Sequence, residues 1–325
     1  MRRTGNAANE QALSRAQRGS GPGQCAAEAV LMKQVSLTID KHWAPYVFLL
    51  PFLVFFVAFR VGPILWSLLV SFTKWSGMDD AVFVGFQNYL RIFKDGRFWT
   101  ATYNTLYFVV VYNAIMIFLA LVLAVLLNSS LLRARGFYRS AYFMPITMSL
   151  PVVAMVFDLI LARGSGLLAV LLRYLGVSLN VRWFSDTSLA MWGIIMMRVW
   201  RGTGYYSAYF LAGLSSIPSE IYESARVDGA SAWTVFTRIS LPLLKPMLVF
   251  VLIMSTILSF QIFDEPWILT QGGPADATLM LQIYLYQTSF LEGNLGRGCA
   301  ISYMMTILMM GASVLYVKGL EERNG

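Results

Sequence analysis

The sequence predicts an all-α protein that crosses a membrane with six helices. Hydrophobic residues make up 57% of the 325 residues and charged residues 13%, a balance typical of polytopic membrane proteins. The apolar residues stand in continuous runs long enough for a bilayer core of about 30 Å, which needs roughly 20 helical residues. Strands of a membrane barrel would alternate apolar and polar residues, so these runs favour helices.

The candidate spans are, in chain order, residues 46–73, 103–127, 141–161, 189–214, 246–270 and 299–317. They define one membrane domain of residues 43–320, preceded by residues 1–42. This amino-terminal segment is rich in Arg, Gly and Ser without an apolar period, so we expect it to be disordered or loosely attached to the cytoplasmic membrane surface. We expect no signal peptide there, because no apolar core follows the arginines closely, and Met32 is a second candidate start of translation.

The basic residues predict the orientation of the chain in the membrane. The net charge is +8, and Lys and Arg lie mainly in short loops beside the apolar runs. This distribution indicates a membrane protein and not a nucleic-acid-binding protein. With the amino terminus in the cytoplasm, the inner loops carry more Lys and Arg than the outer loops. The bias therefore predicts a cytoplasmic amino terminus and a cytoplasmic loop between the fourth and fifth runs.

That loop carries the most informative motif of the chain. Residues 223–242 read ESARVDGASAWTVFTRISLP. They resemble the EAA loop of binding-protein-dependent ABC importer permeases, whose pattern is E-A-A, three residues, G, nine residues, I, one residue, L-P. The matching positions are Glu223, Ala225, Gly229, Ile239, Leu241 and Pro242, and only Ser224 departs from the pattern.

The residues themselves predict a short helix at about residues 219–229. Ser219 suits the N-cap, Glu220 and Glu223 lie near the positive end of the helix dipole, and Gly229 suits the C-cap. In the resembled family this helix docks into a groove of a separate ATPase subunit and couples it to the permease. The resemblance therefore implies coupling contacts from a set of neighbouring residues: Glu220, Glu223, Ala225, Arg226, Asp228 and Gly229.

Shorter matches extend the resemblance to the carbohydrate branch of the family. They lie at residues 83–89, 104–105, 135–139, 166–176 and 269–274. The resemblance implies a type I, MetI-like permease architecture in a bacterial inner membrane, and a subunit that moves a mono- or oligosaccharide into the cytoplasm. It implies the lipid bilayer as surroundings and three kinds of protein partner: a second homologous permease (expected to form a heterodimer), two ATPase subunits and an external solute-binding protein.

The chain carries no sequence pattern for ATP hydrolysis or covalent catalysis. It lacks the phosphate-binding G-x-x-x-x-G-K-[ST] loop, the H-E-x-x-H zinc motif and the G-x-S-x-G serine motif. We therefore expect a subunit that is not an enzyme and holds no cofactor, with ATP and Mg²⁺ bound by the partner ATPase.

Ionisable residues inside the predicted spans indicate either internal ion pairs or a solute path. They are Arg60, Asp158, Arg198, Arg201, Asp264 and Glu265. Each charge at mid-bilayer costs roughly 2.5–3.5 kcal/mol on the insertion scale, so pairing of Arg198 or Arg201 with Asp264 or Asp158 is one explanation. A sugar path would add aromatic and amide side chains, and its candidate residues are Arg60, Asn113, Arg198, Arg201, Tyr205, Asp264 and Trp267.

The three arginines among these candidates favour an acidic solute, because guanidinium groups bind carboxylates through paired hydrogen bonds. A uronate oligomer fits this chemistry, and a phosphorylated polyol is the alternative. Two other function classes stay open at this point. An ion-gradient-driven secondary transporter would use the same charges as ion relays, and a membrane enzyme would need them as a catalytic cluster.

Overall fold

The computed structural model describes residues 44–129, 134–176 and 181–321, and most of them are helical. The expectations for residues 1–42, including Met32, lie outside the described residues. The chain divides into two compact units, Met1–Leu65 and Trp66–Gly325. The first described helix, α1 (Ala44–Phe56), passes through a π-helical turn (Val57–Val61) into α2 (Gly62–Ser71).

Two short strands follow, β1 (Thr73–Lys74) and β2 (Val82–Phe83), which pair antiparallel with Thr73 opposite Phe83. The remaining helices are α3 (Gln87–Lys94), α4 (Gly96–Asn128), α5 (Arg135–Thr147), α6 (Leu150–Leu161), α7 (Leu167–Tyr174), α8 (Ala190–Ser215), α9 (Ser219–Val227), α10 (Ala232–Val235), α11 (Leu241–Leu243), α12 (Lys245–Phe260), α13 (Asp264–Thr270), α14 (Leu281–Tyr286) and α15 (Leu295–Glu321). Two further π-helical turns, Phe236–Ser240 and Gln287–Leu291, continue α10 and α14.

Three helices in the described part of the chain are long and apolar enough to cross a membrane: Phe48–Ser71, Gly96–Asn128 and Leu295–Lys318. Two bent pairs raise the number to five if each pair is one span, Gly136–Thr147 with Leu150–Leu161 and Ala232–Leu243 with Lys245–Phe260. The predicted number of six is therefore not confirmed. Helix α8 has 26 residues, but two arginines and the polar stretch Gly-Thr-Gly-Tyr-Tyr lower its hydropathy.

Two of the predicted runs are broken helices, so their prediction as single helices was wrong. In the third run α5 ends, Met148 and Ser149 are extended, and α6 turns away by 100°. Pro151 explains this break, because its ring would clash with the carbonyl group four residues earlier and its nitrogen has no hydrogen to donate. In the fifth run α12 ends at Phe260, and α13 begins only at Asp264.

The core of the second unit lies along α4 and α8, which contact each other over most of their length. Phe108, Met116 and Ile194 are fully buried in this core. Glycines of α8 permit close approach of its neighbours. A β-carbon on Gly204, for example, would overlap the carbonyl oxygen of Tyr142 in α5.

Side chains at the beginning of α4 hold the loop that follows α13, residues 271–280. The Nδ2 of Asn104 donates to the carbonyl oxygen of Asp276 at 2.8 Å. Arg97 forms a bidentate ion pair with the Asp276 carboxylate, with N–O distances of 2.9 and 3.0 Å. Helix α4 begins at Gly96 because the Asp95 side chain caps it, accepting from the N–H of Arg97. The predicted span, residues 103–127, covers only the apolar part of this helix.

Candidate functional site

Helix α9 ends in a Schellman motif, the hydrogen-bond pattern that glycine favours after a helix. Gly229 has a φ of +71°, in the left-handed region. Its N–H donates to the carbonyl oxygen of Arg226 at 3.1 Å, and the N–H of Ala230 donates to that of Ala225 at 2.9 Å. Gly229 therefore lies one position beyond the C-cap, which Asp228 occupies.

The start of α9 differs from the prediction that Ser219 is the N-cap. Pro218 stands in that position, and no side chain caps the helix. Ser219 is the first helical residue, and Glu220 lies in the first turn, where the helix dipole stabilises a carboxylate.

One face of α9 is packed on the protein and the other is exposed. Ala225 is buried, and the hydroxyl groups of Tyr222 and Ser240 are hydrogen-bonded at 3.2 Å. On the opposite face Val227 is 87% exposed. This residue lines an open concave surface together with four polar residues, Glu220, Glu223, Ser224 and Asp228. The exposed face is therefore acidic around one apolar side chain.

A cavity of about 490 Å³ lies on the packed side of α9, next to the end of α4 and to residues 232–240. Glu223 and Arg226 line this cavity with Asn128 and Ser240. Glu223 thus borders both surfaces of the helix, whereas Arg226 lines only the cavity on the packed side among the cavities found in the described ranges.

A buried ion pair joins Arg198 of α8 to Glu265 of α13, through Nη1 and Oε1. Their side chains are only 15% and 2% exposed. The predicted partners Asp158 and Asp264 are wrong, because both carboxylates are exposed and Glu265 is the one that turns inward. Removing one member of such a buried pair leaves an uncompensated charge, at a cost of about 3–5 kcal/mol.

Arg201 lies one turn after Arg198 on α8 and is half-buried. Its Nη2 donates to the carbonyl oxygen of Ile146 at 3.2 Å. The carbonyl group of Ile146 is among the last four of α5. No N–H group within the helix donates to these four carbonyl groups, so they need other donors. The buried Nε of Arg201 has no hydrogen-bond partner within the described ranges, so this guanidinium keeps an unused donor.

The other predicted path residues on α4 and α8 lie in polar or aromatic contacts. Asn113 is buried and donates from Nδ2 to the Thr256 hydroxyl at 3.2 Å, while its Oδ1 has no partner among the described residues. The Tyr205 hydroxyl is hydrogen-bonded to that of Tyr209 at 2.8 Å. The phenol group of Tyr205 thus lies on the same helix as Arg198 and Arg201, and the amide group of Asn113 lies on the neighbouring α4.

Trp267 of α13 stacks on Phe263, with ring centroids 5.6 Å apart, and meets Tyr286 edge-on at 5.0 Å. Asp264 begins the same helix and is exposed. Arg60 belongs to the first unit, where it lies exposed in the π-helical turn. The structure therefore brings Arg198 together with Glu265, and it places Arg60 in a separate unit.

The sequence places Glu265 among the ionisable residues of the predicted spans, but spacing did not select it as the partner of Arg198. Tyr112 and Tyr206 are the chain neighbours of the predicted Asn113 and Tyr205, and both are buried. The helix break before Asp264 makes it impossible to decide from spacing alone which of two adjacent carboxylates faces α8.

A larger cavity than the one beside α9 lies away from this polar cluster. It has a volume of about 1070 Å³ and lies among α4, α5, α6 and α8. Its lining is mostly apolar and includes Trp192, Trp200 and Met144. Such a lining offers few partners for sugar hydroxyls, so volume alone does not identify the solute path.

A second charged cluster lies at the ends of α4, α14 and α15. The Tyr284 hydroxyl donates to Asp95 Oδ2 at 2.7 Å, Arg297 forms an ion pair with the same carboxylate, and the N–H of Arg97 donates to Oδ1 at 2.9 Å. Burial alone would raise the pKa of Asp95, but these hydrogen bonds and the Arg297 charge lower it below its ordinary value. Burial and the hydrogen bond to Asp95 raise the pKa of Tyr284.

Comparison with known proteins identifies the family of this chain. A family model described as "Binding-protein-dependent transport system inner membrane component" matches residues 116–318. The lactose transport system permease protein LacF of Rhizobium radiobacter is 34% identical over 281 residues, covering 86% of this chain and 94% of LacF. The arabinooligosaccharides transport system permease protein AraP of Bacillus subtilis is 35% identical over 285 residues, covering 87% of this chain and 90% of AraP.

A solved structure has the same fold. It is a bacterial ABC transporter involved in the import of the acidic polysaccharide alginate, with a TM-score of 0.75 and 21% identity. The match covers 87% of this chain and 97% of the compared chain.

Proposed function

The chain belongs to the family of binding-protein-dependent transport system inner membrane components, and on that premise we propose that it is the permease subunit of an ABC importer for carbohydrate. It receives the solute from an external binding protein and releases it into the cytoplasm. ATP and Mg²⁺ are held by separate ATPase subunits. Family membership disfavours an ion-gradient-driven transporter and a membrane enzyme.

The observation that carries this proposal is the construction of α9. The helix is fixed to the protein by Ala225 and Tyr222, it is ended by Gly229, and it exposes Val227 within an acidic rim. A helix with one face on the protein and the other exposed can transmit movement from a partner to the membrane helices. We propose that the exposed face docks on the ATPase, and that ATP-driven closure of the ATPases moves the membrane helices between inward-open and outward-open states.

The exposed face favours a division of roles among the six predicted coupling residues. Glu220, Glu223 and Asp228 border the exposed surface. Arg226 is also exposed and borders the cavity beside residues 232–240, whereas Ala225 is buried. We propose that the four charged residues contact the ATPase and that Ala225 and Gly229 hold the helix in place.

Carbohydrate is the proposed solute class because of the relatives and the chemistry of the path. The relatives are named for lactose, arabino-oligosaccharides and, for a Thermococcus litoralis permease that is 33% identical over 274 residues, trehalose and maltose. An acidic saccharide is a narrower proposal that now depends on Arg201. Glu265 already neutralises Arg198, whereas Arg201 keeps an unpartnered Nε among the described residues.

The partners follow from the family and the exposed apolar surface. Nearly all side chains of Phe48–Ser71 are exposed, and the apolar ones need lipid or another protein around them. We propose a second homologous permease in a heterodimer, two ATPase subunits and an external binding protein, assembled in a bacterial inner membrane with the amino terminus in the cytoplasm.

Reconstitution tests this proposal. The chain, its partner permease and the ATPase pair are placed in liposomes, and the binding protein with a labelled sugar is added outside. We expect sugar-stimulated ATP hydrolysis and uptake that stops when ATP inside is replaced by ADP. Uptake without the ATPases, driven by a proton or sodium gradient, would refute the proposed function.

A further inference from the structure

Two broken spans contact one unbroken helix. Both α5–α6 and α12–α13 pack against α8, and their breaks lie at residues 148–149 and 261–263. The two arginines of α8 reach these breaks from adjacent turns. Arg198 binds Glu265, just after the break of the fifth run, and Arg201 binds the Ile146 carbonyl, just before the break of the third.

The segments beyond the two breaks, α6 and α13, pack on each other, and we call them the paired half-helices. Val153 and Ala154 of α6 form a small hydrophobic cluster with Met197 of α8, against which Ile268 and Leu269 of α13 pack. The buried residues of this cluster are separate from those of the main core along α4 and α8, and Leu269 packs against both. The paired half-helices therefore have an interface of their own.

Apolar and charged contacts attach the paired half-helices to α8. Met197 and Trp200 supply the apolar contacts, and the ring centroid of Trp200 lies 5.4 Å from that of Phe157 in α6. Arg198 supplies a buried charge whose partner Glu265 belongs to α13. Because Glu265 is only 2% exposed, a solute carboxylate would have to displace it before binding Arg198. The Arg198–Glu265 ion pair therefore connects α8 to α13.

Resting on the proposed function, we propose that the paired half-helices move as one unit during transport and that Arg198, acting through Glu265, is the positioning residue that fixes this unit against α8. Arg198 is then not a ligand of the solute.

Distance measurements in the assembled transporter test this inference. Spin-label pairs are introduced at Leu159 and Val110, and separately at Leu159 and Gln271, in a chain with Cys25→Ser and Cys299→Ser. Leu159 lies on α6, Val110 on α4, and Gln271 directly follows α13; all three are exposed. We expect the Leu159–Val110 distance to differ between the nucleotide-free and ATP-bound states, while the Leu159–Gln271 distance stays the same.

Variants of the ion pair give the second readout. Arg198→Gln or Glu265→Gln should shift the nucleotide-free Leu159–Val110 distance distribution toward the ATP-bound one. Asp158→Asn is the control, because Asp158 is an exposed carboxylate on α6, and it should leave the distribution unchanged.

The double variant Arg198→Met/Glu265→Met replaces the pair with apolar side chains, which buried sites often tolerate. It should restore the distribution and leave the KM for neutral and acidic sugars within about two-fold of wild type, since neither side chain would bind the solute.

Two outcomes would overturn the inference: the two label pairs changing equally, or a KM for the acidic sugar that rises about 10-fold in the double variant while the distances stay unchanged. Uptake by the wild-type complex is measured in the same vesicles. Absence of wild-type uptake would refute the proposed function, whereas normal uptake with unaltered distances in both single variants would refute only the role of Arg198.

Discussion

Gly204 of α8 lies directly against the carbonyl oxygen of Tyr142 in α5, where a β-carbon would overlap that oxygen. The obstacle is backbone, which cannot swing aside as the end of a flexible side chain can. The third and fourth predicted spans therefore meet at a distance that only glycine permits, six residues after Arg198.

Replacement of this glycine should destabilise the protein. We expect Gly204→Ala to cost about 1–3 kcal/mol through overpacking, and to lower the thermal unfolding midpoint in detergent. Gly311→Ala is the matched control, because Gly311 also lies inside a helix and a β-carbon there meets nothing within 4 Å. The control should be neutral or stabilising by up to about 1 kcal/mol. Equal effects of the two variants would contradict the close contact.

Gly229 should be required for coupling because of its backbone conformation. Gly229→Ala places a β-carbon in a left-handed conformation, at a cost of about 1–2 kcal/mol, and weakens the end of α9. We expect lower sugar-stimulated ATP hydrolysis with the basal rate retained. Gly164→Ala carries the same backbone penalty, since Gly164 has a φ of +69° and nothing within 4 Å of a β-carbon. Loss of stimulation in both variants would show general destabilisation instead.

Arg201 should decide whether acidic sugars are transported. Arg201→Gln removes a charge whose hydrogen bond to a carboxylate is worth about 1.5–3 kcal/mol. The KM for a uronate oligosaccharide should rise about 10-fold or more, while that for a neutral oligosaccharide stays the same. Arg201→Lys should recover part of the difference, because it keeps the charge without the paired donors. Unchanged KM values for both sugars would remove the basis for an acidic solute.

Asp95 should stabilise the protein in a pH-dependent way. Its folded pKa is lowered, so its contribution is present above the unfolded value of about 3.9 and is lost as the pH falls toward the folded value. Asp95→Asn keeps the side-chain shape but removes the charge that Arg297 and Tyr284 bind. We expect the wild type to unfold at a higher temperature than the variant at pH 7, with the gap closing below about pH 4. A gap independent of pH would contradict an ionised Asp95.

The sequence predicted α9 and its terminal glycine because both depend on local signals. Acidic residues in the first turn and the left-handed glycine have a fixed spacing that needs no tertiary contact. The family followed from the same segment. The identity of the charged partner of Arg198 was not predictable in this way, since the break at residues 261–263 resets the helical phase before Asp264 and Glu265.

The continuity of the spans was predictable only in part. Hydropathy marks where apolar residues lie and is insensitive to a break of two or three residues, so the third and fifth runs read as single helices. Pro151 was a signal for the first break and Pro266 for the second, because each proline follows its break by two or three residues and its ring would clash with a helical carbonyl group four residues earlier. Helix α8 shows the opposite case. It is long and continuous and packs on α4, although its polar residues lower its hydropathy below that of a typical membrane span.

Accessibility of position 227 tests the central claim, docking of α9 on an ATPase at the cytoplasmic face, most directly. Val227→Cys, in a chain with Cys25→Ser and Cys299→Ser, is treated with a membrane-impermeant maleimide in inside-out and right-side-out vesicles, with the buried Ala225→Cys as control. We predict labelling of position 227 only in inside-out vesicles, and protection when the purified ATPase is added. Labelling in right-side-out vesicles, or no protection by an ATPase that supports uptake, would contradict the account.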